Sequence, residues 1–219
     1  MASTIAYVAP FAVYIALLAI QRWIPLPIVA VHALRLAITA AVLWFASRRV
    51  LSLRPSRPWA SLGIGIAVFL IWIGPDLLFG YRHSWLFENA LTGRAASTLP
   101  ASLHRDRLFL AIRLLTTAAA VPILEELFWR GWLMRWLIRS QDFEKVPLGA
   151  YQPVAFWTAA VLFASEHGPY WEVGLLAGIV YNWWMIRTKK LADCILAHAV
   201  TNALLAAYVR AAGQWQYWL

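Results

Sequence analysis

Six polar side chains lie in otherwise apolar stretches, at spacings that suit one another. Glu125, Glu126 and Arg130 sit inside AAAVPILEELFWRGWLMRWLI, residues 118–138. Charge at membrane depth is costly and is kept for pairing or function. Glu126 and Arg130 are four apart, so they share a helix face and are expected to pair. Glu125 points about 100° away, which leaves it free to face a cavity. A carboxylate in a low-dielectric pocket becomes a better general base. Glu126 and Arg130 therefore read as a fastening pair, and Glu125 as the chemical group.

Two further pairs at helical spacing follow. Phe163 precedes His167 by one turn and is expected to pack beside its ring. His198 and Asn202 share a face in the last apolar segment. Two donors fixed on one face suit a developing oxyanion. Together, Glu125 and His167 would hold a water, and His198 and Asn202 the oxygen of a tetrahedral intermediate. That is a minimal apparatus for hydrolysing an amide without a covalent intermediate. Glu125, His167 and His198 could instead supply zinc with an open fourth position, although no pair has a recognised zinc spacing. The expectation is no cofactor, with zinc as the alternative. Cys194 is the single cysteine, so neither a disulfide framework nor a Cys-based zinc site is available; it reads as an ordinary buried thiol.

The elements that must carry these residues are membrane helices. The chain is 62% hydrophobic and 13% charged, against roughly 45–50% and 25% in soluble domains. Mean hydropathy is +0.64. This composition predicts an all-α, polytopic transmembrane bundle of about seven or eight spans. Apolar segments fall at about 5–24, 28–46, 59–79, 107–138, 153–167, 172–186 and 191–209. The chain reads as one membrane-embedded domain, 1–219, with the motif-bearing half at about 107–209. Residues 107–138 would make a helix of about 48 Å, longer than the roughly 30 Å hydrocarbon core, with a possible kink at Pro122. Residues 83–91 suggest a short amphipathic helix on the membrane surface, and 93–100 a loop.

The net charge is +9, but the basic residues cluster between apolar spans. Topology and anionic lipid account for them, so no nucleic-acid partner is expected. Segments 47–58, 139–152 and 187–190 read as cytoplasmic, with the N-terminus inside and the first segment retained rather than cleaved. Trp183–Trp184 and the Gln214-Trp-Gln-Tyr-Trp run suggest aromatic anchors at the headgroup level. The expected setting is a multi-pass protein, in bacteria of the inner membrane.

The ordered motifs resemble those of the CPBP family of intramembrane proteases, the Rce1-type CAAX prenyl endopeptidases and their bacterial relatives. Glu-Glu-x3-Arg matches 125–130, Phe-x3-His matches 163–167 and His-x3-Asn matches 198–202; the likeness covers residues 120–205. More narrowly, the chain is similar to bacterial CAAX protease-related proteins found with exosortase sorting systems. The resemblance implies that Glu125 and His167 activate water and that His198 and Asn202 form the oxyanion hole. It implies a membrane-associated protein or peptide substrate. Glu126, Arg130 and Phe163 would support the site. Glu166 departs from the pattern, placing another carboxylate beside His167. Two other readings stay open on residues alone: a non-proteolytic scaffold, immunity or chaperone factor, and a small transporter.

Overall fold

In the computed structural model, which describes residues 2–97 and 99–218, long helices carry the chain and the described residues form no strand. We number seven: α1 (Ala2–Ile20), α2 (Ile28–Val42), α3 (Pro58–Phe79), α4 (Arg107–Ile138), α5 (Pro153–Ser165), α6 (Trp171–Thr188) and α7 (Leu191–Ala212). Five segments have the length and apolar content to cross a membrane: Thr4–Trp23, Ile28–Ser47, Pro58–Phe79, Arg107–Ile138 and Leu191–Ala212. The protein is thus a multi-pass, all-α membrane protein. α5, with 13 residues, extends only about 20 Å.

Small residues let α3 approach α7, and α6 approach α5, closely. A Cβ at Gly65 of α3 would lie 2.5 Å from Ala197 O of α7. Thr201 Oγ1 donates to Gly65 O there, at 2.8 Å. Gly178 of α6 lies similarly against the Ala160 backbone of α5. In a membrane, such packing and interhelical hydrogen bonds hold helices together.

The connections gather at two ends. At one end, buried Asp193 accepts from Ser56 Oγ at 2.5 Å and Arg57 N at 2.8 Å. Arg135 pins the 139–152 loop there, donating to Glu144 O and Val146 O at 3.0 and 2.8 Å. Gly149 abuts Met185 O beside the α6–α7 turn. The three basic segments expected on one side do meet at one end.

At the other end, the 80–106 segment folds over the bundle. Arg82, 2% exposed, pairs with Glu172 at 2.6 Å and Asp76 at 3.5 Å and donates to Pro169 O at 2.7 Å. Residues 83–91 do not form the expected amphipathic helix. Side chains there take the backbone donors that a helix would use internally: Asn89 Oδ1 accepts from Leu91 N and Thr92 N, and Glu88 Oε1 from Ala95 N. The Ala95 N–H, and then His83 beside it, hold the Glu88 carboxyl below the usual carboxylate range. The loop expected at 93–100 is irregular over its described residues; residue 98 lies outside them.

Candidate active site

α4 is irregular where it carries the glutamates. It widens to π-helical turns at Thr116–Ala120 and Leu127–Leu133, a distortion frequent at functional sites. Pro122 helps explain the first. Val121 N reaches back five residues to Thr116 O. The next donor in that pattern would serve Thr117 O, but residue 122 is proline and has no N–H. Asn202 Nδ2 from α7 donates to Thr117 O instead, at 2.8 Å. A local defect in α4 thereby docks a side chain of the third motif.

The second π-helical segment carries Arg130, buried at 1% exposure beside Glu126 at 0%. Arg130 Nη1 donates to Glu126 Oε1 at 3.1 Å, Nε to Asn182 Oδ1 at 2.9 Å, and Nη2 to Gly178 O at 3.3 Å. Its guanidinium lies 4.6 Å from the Phe163 ring centroid. The expected Glu126–Arg130 pair is present, but Glu126 does more than fasten. Its Oε1 also meets His198 Nδ1 at 3.0 Å. One carboxylate oxygen thus joins the first motif to the third. This link depends on α4 packing against α7 and has no signature in local spacing.

His198 is 4% exposed and stacks on Tyr181, with centroids 5.1 Å apart. Tyr181 is held in turn by its hydroxyl on Thr201 Oγ1 at 2.8 Å. If Nδ1–H donates to Glu126, a donor at Nε2 requires the doubly protonated ring. His198 and Asn202 therefore do not simply aim all their donors at one point, as their spacing suggests. One ring nitrogen serves Glu126 and one amide proton serves Thr117 O. Nε2 and the second amide proton remain.

His167 follows the end of α5. Its Nδ1 lies 2.7 Å from Phe163 O, an acceptor only, so the ring proton sits on Nδ1. In the neutral ring, Nε2 then carries a lone pair able to accept from water. Phe163 packs against the ring at 4.7 Å and Trp72 edge-on at 5.2 Å. A Cβ at Gly174 would come within 3.0 Å of the imidazole, so this glycine makes room for it.

Glu125, Glu166, His167, His198 and Asn202 line one cavity of about 520 Å³. Glu125 Oε2 is buried with no hydrogen-bond partner. Glu166 is more exposed and lines the same cavity as Glu125. The cavity joins the end of the short α5, which His167 follows, to the interior of α7, where His198 and Asn202 lie. Cys194 is buried, its Sγ against Tyr181 O and Met185 Sδ at 3.6 and 3.9 Å. Among the described residues, no three His, Cys, Asp or Glu side chains are grouped to hold a metal ion.

Sequence reasoning missed Asn182, Tyr181 and Arg113. Asn182 had a signal, being an amide inside an apolar helix; Tyr181 had none among so many aromatics. It also misread the end of the chain. Tyr217 and Trp218 are not headgroup anchors but are buried, at 6% and 7% exposure, and line the cavity. The Trp183–Trp184 pair divides, with Trp183 45% exposed and Trp184 buried against Ser61 Oγ at 3.2 Å.

Residues 107–204 match the family model described as Type II CAAX prenyl endopeptidase Rce1-like. No match was found among curated proteins or solved structures. The matched segment holds all three motifs.

Proposed function

From that family-model match and the residues that line the cavity, we propose an intramembrane endopeptidase that hydrolyses a peptide bond in a membrane-associated protein or peptide. Glu125 takes the proton of a water held between its carboxylate and His167 Nε2. The water attacks the scissile carbonyl carbon. His198 Nε2, in the protonated ring that Glu126 faces, and the spare Asn202 amide proton stabilise the oxyanion. Collapse of the tetrahedral intermediate breaks the C–N bond, and Glu125 returns its proton to the leaving amine. Glu126 and Arg130 position His198, and Phe163 positions His167. Glu166 assists by orienting the water or sharing the proton.

The observation that carries this reading is that Glu125, and not the neighbouring Glu126, lines the cavity that His167, His198 and Asn202 also line. The mechanism needs no metal. We place the protein in a bacterial inner membrane, with the basic loop end cytoplasmic.

The test is a comparison of membrane-fraction peptides from cells carrying the wild type or Glu125→Gln. The reading expects a membrane polypeptide that accumulates uncut in the variant, with the cut product only in the wild type. Identical peptide profiles with both proteins present at equal levels would count against it.

A further inference from the structure

Part of the cavity wall is a segment of chain that the hydrolytic reading leaves unused. After α7, Gly213 at φ 68° turns the backbone, and residues 214–218 fold back under the 80–106 segment. Trp215 stacks on His104, with centroids 3.8 Å apart and planes 7° apart. Tyr217 Oη donates to Asp76 Oδ2 at 2.6 Å.

Two contacts address the peptide main chain itself. Tyr170 Oη donates to Gln216 O at 3.0 Å, and Arg113 Nη2 to Trp218 O at 2.9 Å. The Arg113 guanidinium also lies 4.9 Å from the Trp218 ring centroid. Arg113 is 8% exposed and Tyr170 3%, and both line the cavity that holds Glu125. Buried side chains that grip carbonyl oxygens hold a peptide whatever its side chains. An enzyme that must seat many sequences, or an extended membrane segment, needs donors of this kind. Here they hold the protein's own backbone beside its catalytic groups.

We propose that Arg113 and Tyr170 are peptide-binding residues of this cavity, and that segment 214–218 occupies part of the space that a substrate peptide must enter. The proposal rests on the endopeptidase reading for its substrate. Binding then exchanges one set of carbonyls for another at Arg113 and Tyr170. The segment acts as a strap that keeps the site covered until a membrane peptide displaces it.

The test reads access directly, without cleavage. Leu205 lines the cavity, so Leu205→Cys in a Cys194→Ala background gives one reporter thiol. Its modification by a water-soluble maleimide is timed in the full-length protein, made with and without Tyr217→Ala/Trp218→Ala. At least a tenfold acceleration is expected in the strap variant. An acetylated and amidated peptide, Gly-Gln-Trp-Gln-Tyr-Trp, added to that variant should restore protection in a saturable way. Tyr170→Phe, which removes one hydroxyl, should raise the half-protecting concentration several-fold, and Arg113→Lys should raise it further. An unchanged labelling rate overturns the strap. Protection equal in all variants overturns the roles of Arg113 and Tyr170. Every arm is repeated with Glu125→Gln, where cleavage is absent. Strap behaviour there without any wild-type cleavage would separate failure of the protease reading from failure of this one.

Discussion

On one face of α4, Arg130 donates through Nε, Nη1 and Nη2 to Asn182, Glu126 and Gly178, and the cluster is closed to solvent. On the adjacent face, Glu125 lines a cavity. Two glutamates adjacent in sequence thus sit in opposite surroundings. Burial alone does not separate a structural carboxylate from a reactive one. Each glutamate has a buried Oε2 without a hydrogen-bond partner, and the separation lies in what they face: Glu125 lines the cavity and Glu126 does not. Glu126 Oε1 serves both Arg130 and His198, so its chemistry is committed to holding. Glu125 has capacity left for a water. The seam and the wall are also coupled, because Glu126 fixes the histidine that completes the wall.

Removing the seam's cation should have the largest effect. Arg130→Gln leaves Glu126 buried without its counter-charge, and breaking a buried pair typically costs about 3–5 kcal/mol. Unfolding in detergent should shift accordingly and activity should vanish with the fold. A variant with wild-type stability would show that the seam is not what holds α4 to α6.

The wall should respond differently. Gly174→Val drives Cβ and its methyl groups into the space of the His167 ring, which already lies 3.0 Å from an added Cβ. A misplacement of about 1 Å can cost up to 10²-fold in rate. We expect at least a tenfold fall in kcat with KM nearly unchanged, at small cost in stability. Equal loss from Gly174→Val and from a lipid-facing substitution such as Leu162→Ala would remove His167 from the account.

A smaller effect is expected at the junction of the two regions. Pro122→Ala supplies an N–H that can satisfy Thr117 O and so competes with Asn202. Activity should fall by about two- to tenfold, and Asn202→Ala should cost less in that background than alone. Additive losses would mean that the proline and the asparagine act separately. Smallest of all, dialysis against a chelator should leave the cleavage rate unchanged; loss restored by zinc would favour a metal site instead.

Much of this site was legible because helical periodicity is strict. Glu126 with Arg130, and Phe163 with His167, meet because each pair is one turn apart. The seven apolar segments became helices for the same composition that marked them. What was not legible depends on tertiary approach. The Glu126–His198 contact joins residues 72 positions apart, and no local pattern announces it. The strap misled because aromatic content alone cannot distinguish a headgroup anchor from a buried lining. Residues 83–91 misled because Asn89 and Glu88 replaced helical hydrogen bonds with side-chain ones. Pro122 offered an unused clue, since a proline inside a helix always leaves a carbonyl to be claimed.

The central claim is that Glu125 is the working base and Glu126 is not. Its most direct test is the cleavage rate of a membrane peptide by purified Glu125→Gln, compared with wild type, with detergent unfolding measured on both. The account predicts a fall of at least about 10²-fold, the lower end for loss of general-base catalysis, with an unfolding midpoint like that of the wild type. Cleavage at the wild-type rate by a properly folded Glu125→Gln protein would contradict it.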